Sequence, residues 1–194
     1  VFFPKGMSTL FSCQPDRDMT DVSSVEQTWW WQVISQGGYK MGMINSYSGA
    51  TVCNTGYNDD DFSDRSFVTR SLNLGSPDII LICGGTNDSW VGAPVGTLQF
   101  SDWKREDLFS VLPAVCCFLD RLTAAVPNTR ILFLVNTELK TEIAEGIQTA
   151  CTHWGVECLV LEPFDKRCGH PTVLGMSQIK EQVLRYLEST PARG

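Results

Sequence analysis

Asp78-Ile79-Ile80-Leu81-Ile82-Cys83-Gly84-Gly85-Thr86-Asn87-Asp88 is the stretch on which the reading turns. Four aliphatic residues in a row, with no polar alternation, predict a strand buried on both faces, as in a parallel sheet covered by helices. Ligands of open α/β sheets bind outside the carboxyl ends of strands. The Gly84-Gly85 turn and Asn87 therefore stand where a site is expected. Glycine permits a tight turn there, and a short amide can donate N–H to an oxygen that gains negative charge. Acyl chemistry needs such a donor.

Working outward, the elements alternate. Val1–Phe3 reads as the tail of a first strand, Tyr39–Ser46 as the second, Asp78–Cys83 as the third, Arg130–Val135 as the fourth and Val156–Leu161 as the fifth. Ser23-Ser24-Val25-Glu26 has capping-box spacing and predicts a helix through Trp29-Trp30-Trp31 to Ile34, closed by Gly37-Gly38. Further helices are expected over Asp61–Leu74, Trp103–Ala125 (kinked or divided at Pro113), Glu138–Trp154 and Val173–Leu187. Repeated β–α units imply a parallel sheet with helices on both faces. Five strands suggest an α/β fold of flavodoxin-like type, a three-layer α/β/α sandwich of order 2-1-3-4-5, in one domain over 1–194.

Composition narrows the function. Hydrophobic residues make up 43% and charged residues 19%, as in an ordinary globular protein. A net charge of −7 argues against a nucleic-acid partner, since no basic patch is available to neutralise phosphates. No run of about 18 apolar residues is present to span a bilayer. The eight cysteines show no C-x-x-C pair, and only His153 and His170 accompany them, so reduced core thiols are expected rather than a metal site.

Polar or glycine residues converge on one rim of the expected sheet. Gly49 follows strand two, Asn87 follows strand three, and His170 lies after strand five. Each has a plainer reading. Asn87 could close an Asx-turn, Gly49 could be only a turn glycine, and His170 before Pro171 could be a solvated loop residue. His153 reads as a surface residue at a helix C-terminus. Trp29-Trp30-Trp31 covers three helix directions and reads as core and rim packing, with a substrate platform as the alternative. Trp90 and the loop to Ser101, with Val91, Val95, Leu98 and Phe100, could wall a pocket or simply pack. Asp59-Asp60-Asp61 lacks the spaced ligands of a calcium loop.

With these blocks in order, the chain resembles the SGNH/GDSL hydrolases, a family of serine esterases and lipases. The family's Gly block is similar to Asn45–Gly49, its G-x-N-D block to Gly85-Thr86-Asn87-Asp88, and its His block to Gly169-His170-Pro171 with Gly175 after it. The resemblance implies that Ser8 attacks an ester carbonyl and that His170 takes its proton. It also implies an oxyanion hole formed by the Ser8 N–H, the Gly49 N–H and the Asn87 amide. Neither a metal nor an organic cofactor is implied, and the expected partner is a small acyl ester or a carbohydrate ester, with Trp90 as a candidate substrate contact. The first block departs from the family's Gly-Asp-Ser. Either Gly6-Met7-Ser8 fills it, with Met7 in place of Asp, or Pro4-Lys5-Gly6 does and no nucleophile remains. The second register corresponds to an inactive binding relative. The family's orienting acid falls on Arg167, leaving Asp165 as the substitute or a backbone carbonyl in its stead. A flavin-binding flavodoxin is the reading from another class, but strand one lacks a Ser/Thr-rich phosphate loop.

Overall fold

The structure, a computed structural model, describes residues 19–72 and 74–190. Ser8 and Val1–Phe3 lie outside them. Two compact units divide the described chain: one is Met43–Val160, the other residues 19–42 with 161–190.

In the first unit, β1 (Ile79–Gly84), β2 (Arg130–Val135) and β3 (Glu157–Val160) form a parallel sheet in that order. Ile79 pairs with Arg130 and Gly84 with Val135, while Leu132 pairs with Glu157. Ile80 and Ile82 alternate with Leu81, and Ile131, Phe133 and Val135 alternate with Leu132 and Leu134. All are buried, so both faces of these strands are covered. The uninterrupted aliphatic runs have that cause. Arg130 forks onto Glu157 through two bonds of 2.8 Å and ties β2 to β3.

Helices in this unit are α2 (Phe67–Arg70), α3 (Thr86–Val91), α4 (Val111–Ala125) and α5 (Thr141–His153). Val115, Phe118, Leu119 and Leu122 of α4 join Ile143, Ile147 and Ala150 of α5 and one face of the sheet in a single apolar cluster. Pro113 neither kinks nor divides a helix. It falls in the first turn of α4, where no intrahelical N–H bond is lost. The N–H groups of Val111 and Leu112 instead bond the Pro94 and Val95 carbonyls, at 2.8 and 2.9 Å. Val91, Val95 and Leu98 pack against the core, which gives the 90–101 loop a structural use.

The second unit contains α1 (Trp29–Gln36) and α6 (Val173–Ser189). Trp29 and Trp30 are buried and Trp31 half-buried, with Trp30 and Trp31 edge to face at 6.0 Å. They pack as core and rim. The entry turn differs from expectation. Val25–Gln27 is a 3₁₀ turn capped at Ser24, and the Gln27 side-chain oxygen, not Glu26, accepts from the Ser23 and Ser24 N–H groups. A two-stranded hairpin, β4 (Lys166–Arg167) and β5 (His170–Pro171), was not anticipated.

The expected strand over residues 39–46 is not seen as such. Only Ser46 takes an isolated bridge, and residues 39–45 have no assigned ladder. A strand exists through its hydrogen-bonded partner, and residues 39–45 pair with no described strand. The parallel sheet among those residues therefore has three strands, not five. No helix among them is long and apolar enough to cross a membrane.

Candidate active site

Asn87 is held at both ends of its side chain. Gly85 turns the chain out of β1 at φ +93 and caps α3, so the second residue of that helix projects at the sheet's carboxyl edge. The Asn87 Nδ2 donates to the Ala50 carbonyl at 2.9 Å, and its Oδ1 accepts from the Tyr57 hydroxyl at 2.9 Å. A carbonyl can only accept, so the NH₂ must face Ala50 and the flip of the amide is fixed. One N–H is thereby used, and the group carries a second.

Gly49 arrives beside Asn87 through its neighbour Ala50. It sits at φ +74, where a side chain would be strained, and the Ala50 N–H closes the turn on the Tyr47 carbonyl at 3.2 Å. The fork of Arg70 reaches the Asn45 and Arg65 carbonyls at 3.0 and 2.7 Å and steadies the start of this segment. Burial lowers the Arg70 pKa to about 10.

Sequence reasoning gave Asp88 no role. Its side chain is wholly buried, and its carboxylate accepts from the Val52 N–H at 3.0 and 2.9 Å and from the Cys53 N–H at 3.1 Å. Burial pushes the carboxyl above its usual range, while these N–H groups pull it back. Charge-assisted bonds to backbone N–H are strong, so Asp88 clamps the 50–53 segment against the Asn87 turn. Burial also drives the Cys53 thiol strongly upward, keeping it protonated and inert. Trp90 lies one helical turn after Asn87 on α3 and is 45% exposed.

His170 belongs to the other unit and opens β5. Arg167 and His170 pair across a two-residue turn in which Cys168 and Gly169 have φ of 49 and 78. Positive φ at both central residues marks the primed turns that suit the twist of a hairpin. The Nδ1 of His170 lies 2.9 Å from the Cys168 carbonyl. That oxygen cannot donate, so Nδ1 carries the hydrogen, and in the neutral ring Nε2 is left with the lone pair.

Asp165 is placed differently from the expected orienting acid. Its carboxylate accepts from the Thr172 hydroxyl, which in turn accepts from the Gly175 N–H at 3.1 Å as the cap of α6. The Asp165 N–H donates to Gln178 Oε1 at 2.7 Å. Asp165 thus fastens the loop to α6, while the ring nitrogen rests on a main-chain carbonyl. Gly175 permits this, because a Cβ there would sit 2.0 Å from the Asp165 carbonyl oxygen.

The geometry can be set beside known proteins. The crystal structure of a candidate GDSL-like lipase from Bacteroides ovatus ATCC 8483 is similar at 46% identity and TM-score 0.87, covering 90% of this chain and 84% of that one. One from Bacteroides uniformis ATCC 8492 is similar at 45% identity and TM-score 0.87, covering 91% and 83%. An acetyl xylan esterase from Butyrivibrio proteoclasticus shares the fold at 16% identity and TM-score 0.62, covering 88% of this chain and 58% of that chain. A search of curated proteins gave no match. The GDSL-like lipase/acylhydrolase family model matches residues 1–187. With the G-x-N-D turn and the His hairpin as described, the chain belongs to the GDSL-like lipase/acylhydrolase family.

Proposed function

We propose that this protein hydrolyses a carboxylic ester through a serine nucleophile, and that the acyl group is small, such as an acetyl group on a carbohydrate. The observation that carries this reading is the Asn87 amide, whose flip is fixed by the Ala50 carbonyl and the Tyr57 hydroxyl. A donor held rigid before reaction needs no reorganisation as charge develops. Family membership and the likeness to a fold used by an acetyl xylan esterase support the substrate class.

In this reading Ser8 attacks the ester carbonyl, and His170 Nε2 accepts its proton and returns it to the departing alcohol. The N–H groups of Ser8 and Gly49 and the free N–H of Asn87 hold the tetrahedral oxyanion. The Cys168 carbonyl, which keeps Nδ1 protonated, orients the imidazole. Trp90 lines the substrate side. In this reading residues 1–194 work as one domain.

The test is hydrolysis of p-nitrophenyl acetate by the parent and by Ser8→Ala, His170→Ala and Asn87→Ala. The first two should abolish turnover, and the third should lower it roughly 10²–10³-fold. Activity that survives Ser8→Ala removes the nucleophile. A parent without activity favours the inactive binding relative, consistent with the Met7 departure in the first block.

A further inference from the structure

Tyr57 stands on a turn that the chain forms at a cost. Thr55 bridges Asp61, the Gly56 N–H bonds the Asp60 carbonyl at 2.8 Å, and the Asp60 N–H returns to the Tyr57 carbonyl at 3.1 Å. The two residues between, Asn58 and Asp59, have φ of 56 and 60, and neither is glycine. Asn and Asp tolerate the left-handed region better than other side chains. Two in succession still hold strain that persists only where surrounding contacts enforce it.

Those contacts gather on the Tyr57 ring. It packs against Phe62 at 6.4 Å between centroids, and a Cβ added to Gly49 would meet its edge at 3.6 Å. Its hydroxyl donates to Asn87 Oδ1 at 2.9 Å. One side chain therefore lies beside the Gly49 turn and bonds the Asn87 amide. Tyr57 stays 39% exposed, and partial desolvation, followed by the nearby Asp88 charge, raises the phenol pKa and keeps the hydroxyl a donor.

We infer that Tyr57 is a positioning residue, whose hydroxyl holds the Asn87 amide with an N–H directed at the oxyanion and polarises it. The inference rests on the oxyanion role proposed for Asn87. A donor on Oδ1 withdraws charge from the amide and strengthens its N–H as a donor in turn. Because Tyr57 acts through Asn87, removing its hydroxyl should weaken transition-state stabilisation and leave ground-state binding alone.

The experiment compares the parent, Tyr57→Phe, Asn87→Ala and the double variant in p-nitrophenyl acetate hydrolysis. Alongside it, the Asn87 side-chain NH₂ pair is followed in ¹H–¹⁵N spectra and identified by its absence from Asn87→Ala. Tyr57→Phe should lower kcat about five- to tenfold with KM within about twofold, the scale of one neutral hydrogen bond. It should shift the NH₂ pair, and it should have no further effect in the Asn87→Ala background. An equal loss in that background, an effect confined to KM, or an unmoved NH₂ pair overturns the inference. Hydrolysis indifferent to Asn87→Ala, or absent from the parent, sinks the oxyanion reading instead, and the NH₂ pair then decides whether Tyr57 holds the amide.

Discussion

Asp88 lies wholly out of solvent and gives its carboxylate to two backbone amides, whereas Asp165 stays exposed and takes one threonine hydroxyl. Each stands within five residues of a proposed site residue. The difference lies in what would remain if the carboxylate were removed. Around Asp88, two buried N–H groups would lose their acceptor with no water to replace it. Around Asp165, solvent is at hand and the Thr172 cap still reaches the Gly175 N–H. The Asn87 turn is thus built as part of the core, and the His170 hairpin as a surface attachment.

The largest expected effect tests the buried member. Asp88→Ala should lower the unfolding free energy by roughly 2–4 kcal/mol, since orphaned buried donors carry their full desolvation cost. Chemical denaturation reads it directly, and a loss under about 1 kcal/mol would place the clamp in solvent after all. Gly175→Ala comes next, at roughly 1–3 kcal/mol by overpacking. The added methyl meets main chain, which yields less readily than a side chain, so the loss should outweigh the gain in helix propensity.

Asp165→Ala should cost only about 1 kcal/mol and leave the esterase rate within about threefold of the parent. A rate loss of about 10²-fold or more would restore the carboxylate as the orienting group and erase the contrast. The smallest effect is a slope with pH. Because burial raises the Asp88 pKa, the folded protein binds that proton more readily than the unfolded chain. Stability should then fall as pH rises from the ordinary carboxyl value of 3.8 through the raised one, and level off above it. Asp88→Asn should flatten that segment in a denaturation series across pH.

How much of this was legible follows from where each signal resides. The strands over 79–84 and 130–135 announced themselves because burial on both faces leaves no polar alternation to misread. The Gly85 turn was legible because glycine after a buried strand marks a tight bend, which sets Asn87 at the strand's carboxyl end. The clamp at Asp88 was not, because its partners Val52 and Cys53 lie some 35 residues away and are main-chain groups that carry no side-chain mark. Tyr57 was hidden because its turn uses Asn58 and Asp59 in place of the glycine that signals a primed turn. The hairpin at His170 was missed for a similar reason, since Cys168 is an unexpected residue at positive φ and each strand has only two residues. Pro113 was misread because the start of α4 is set by two carbonyls of the preceding loop.

Cys168 has one more consequence. Among the described cysteines it is the exposed one, while Cys53, Cys116, Cys117 and Cys151 are buried and Cys83 and Cys158 partly so. In a Cys13→Ser variant, a maleimide dye or nitroxide label should therefore settle at this turn, two residues from the imidazole. The hairpin thus carries its own attachment point for a spectroscopic reporter, placed by the same backbone bend that presents His170.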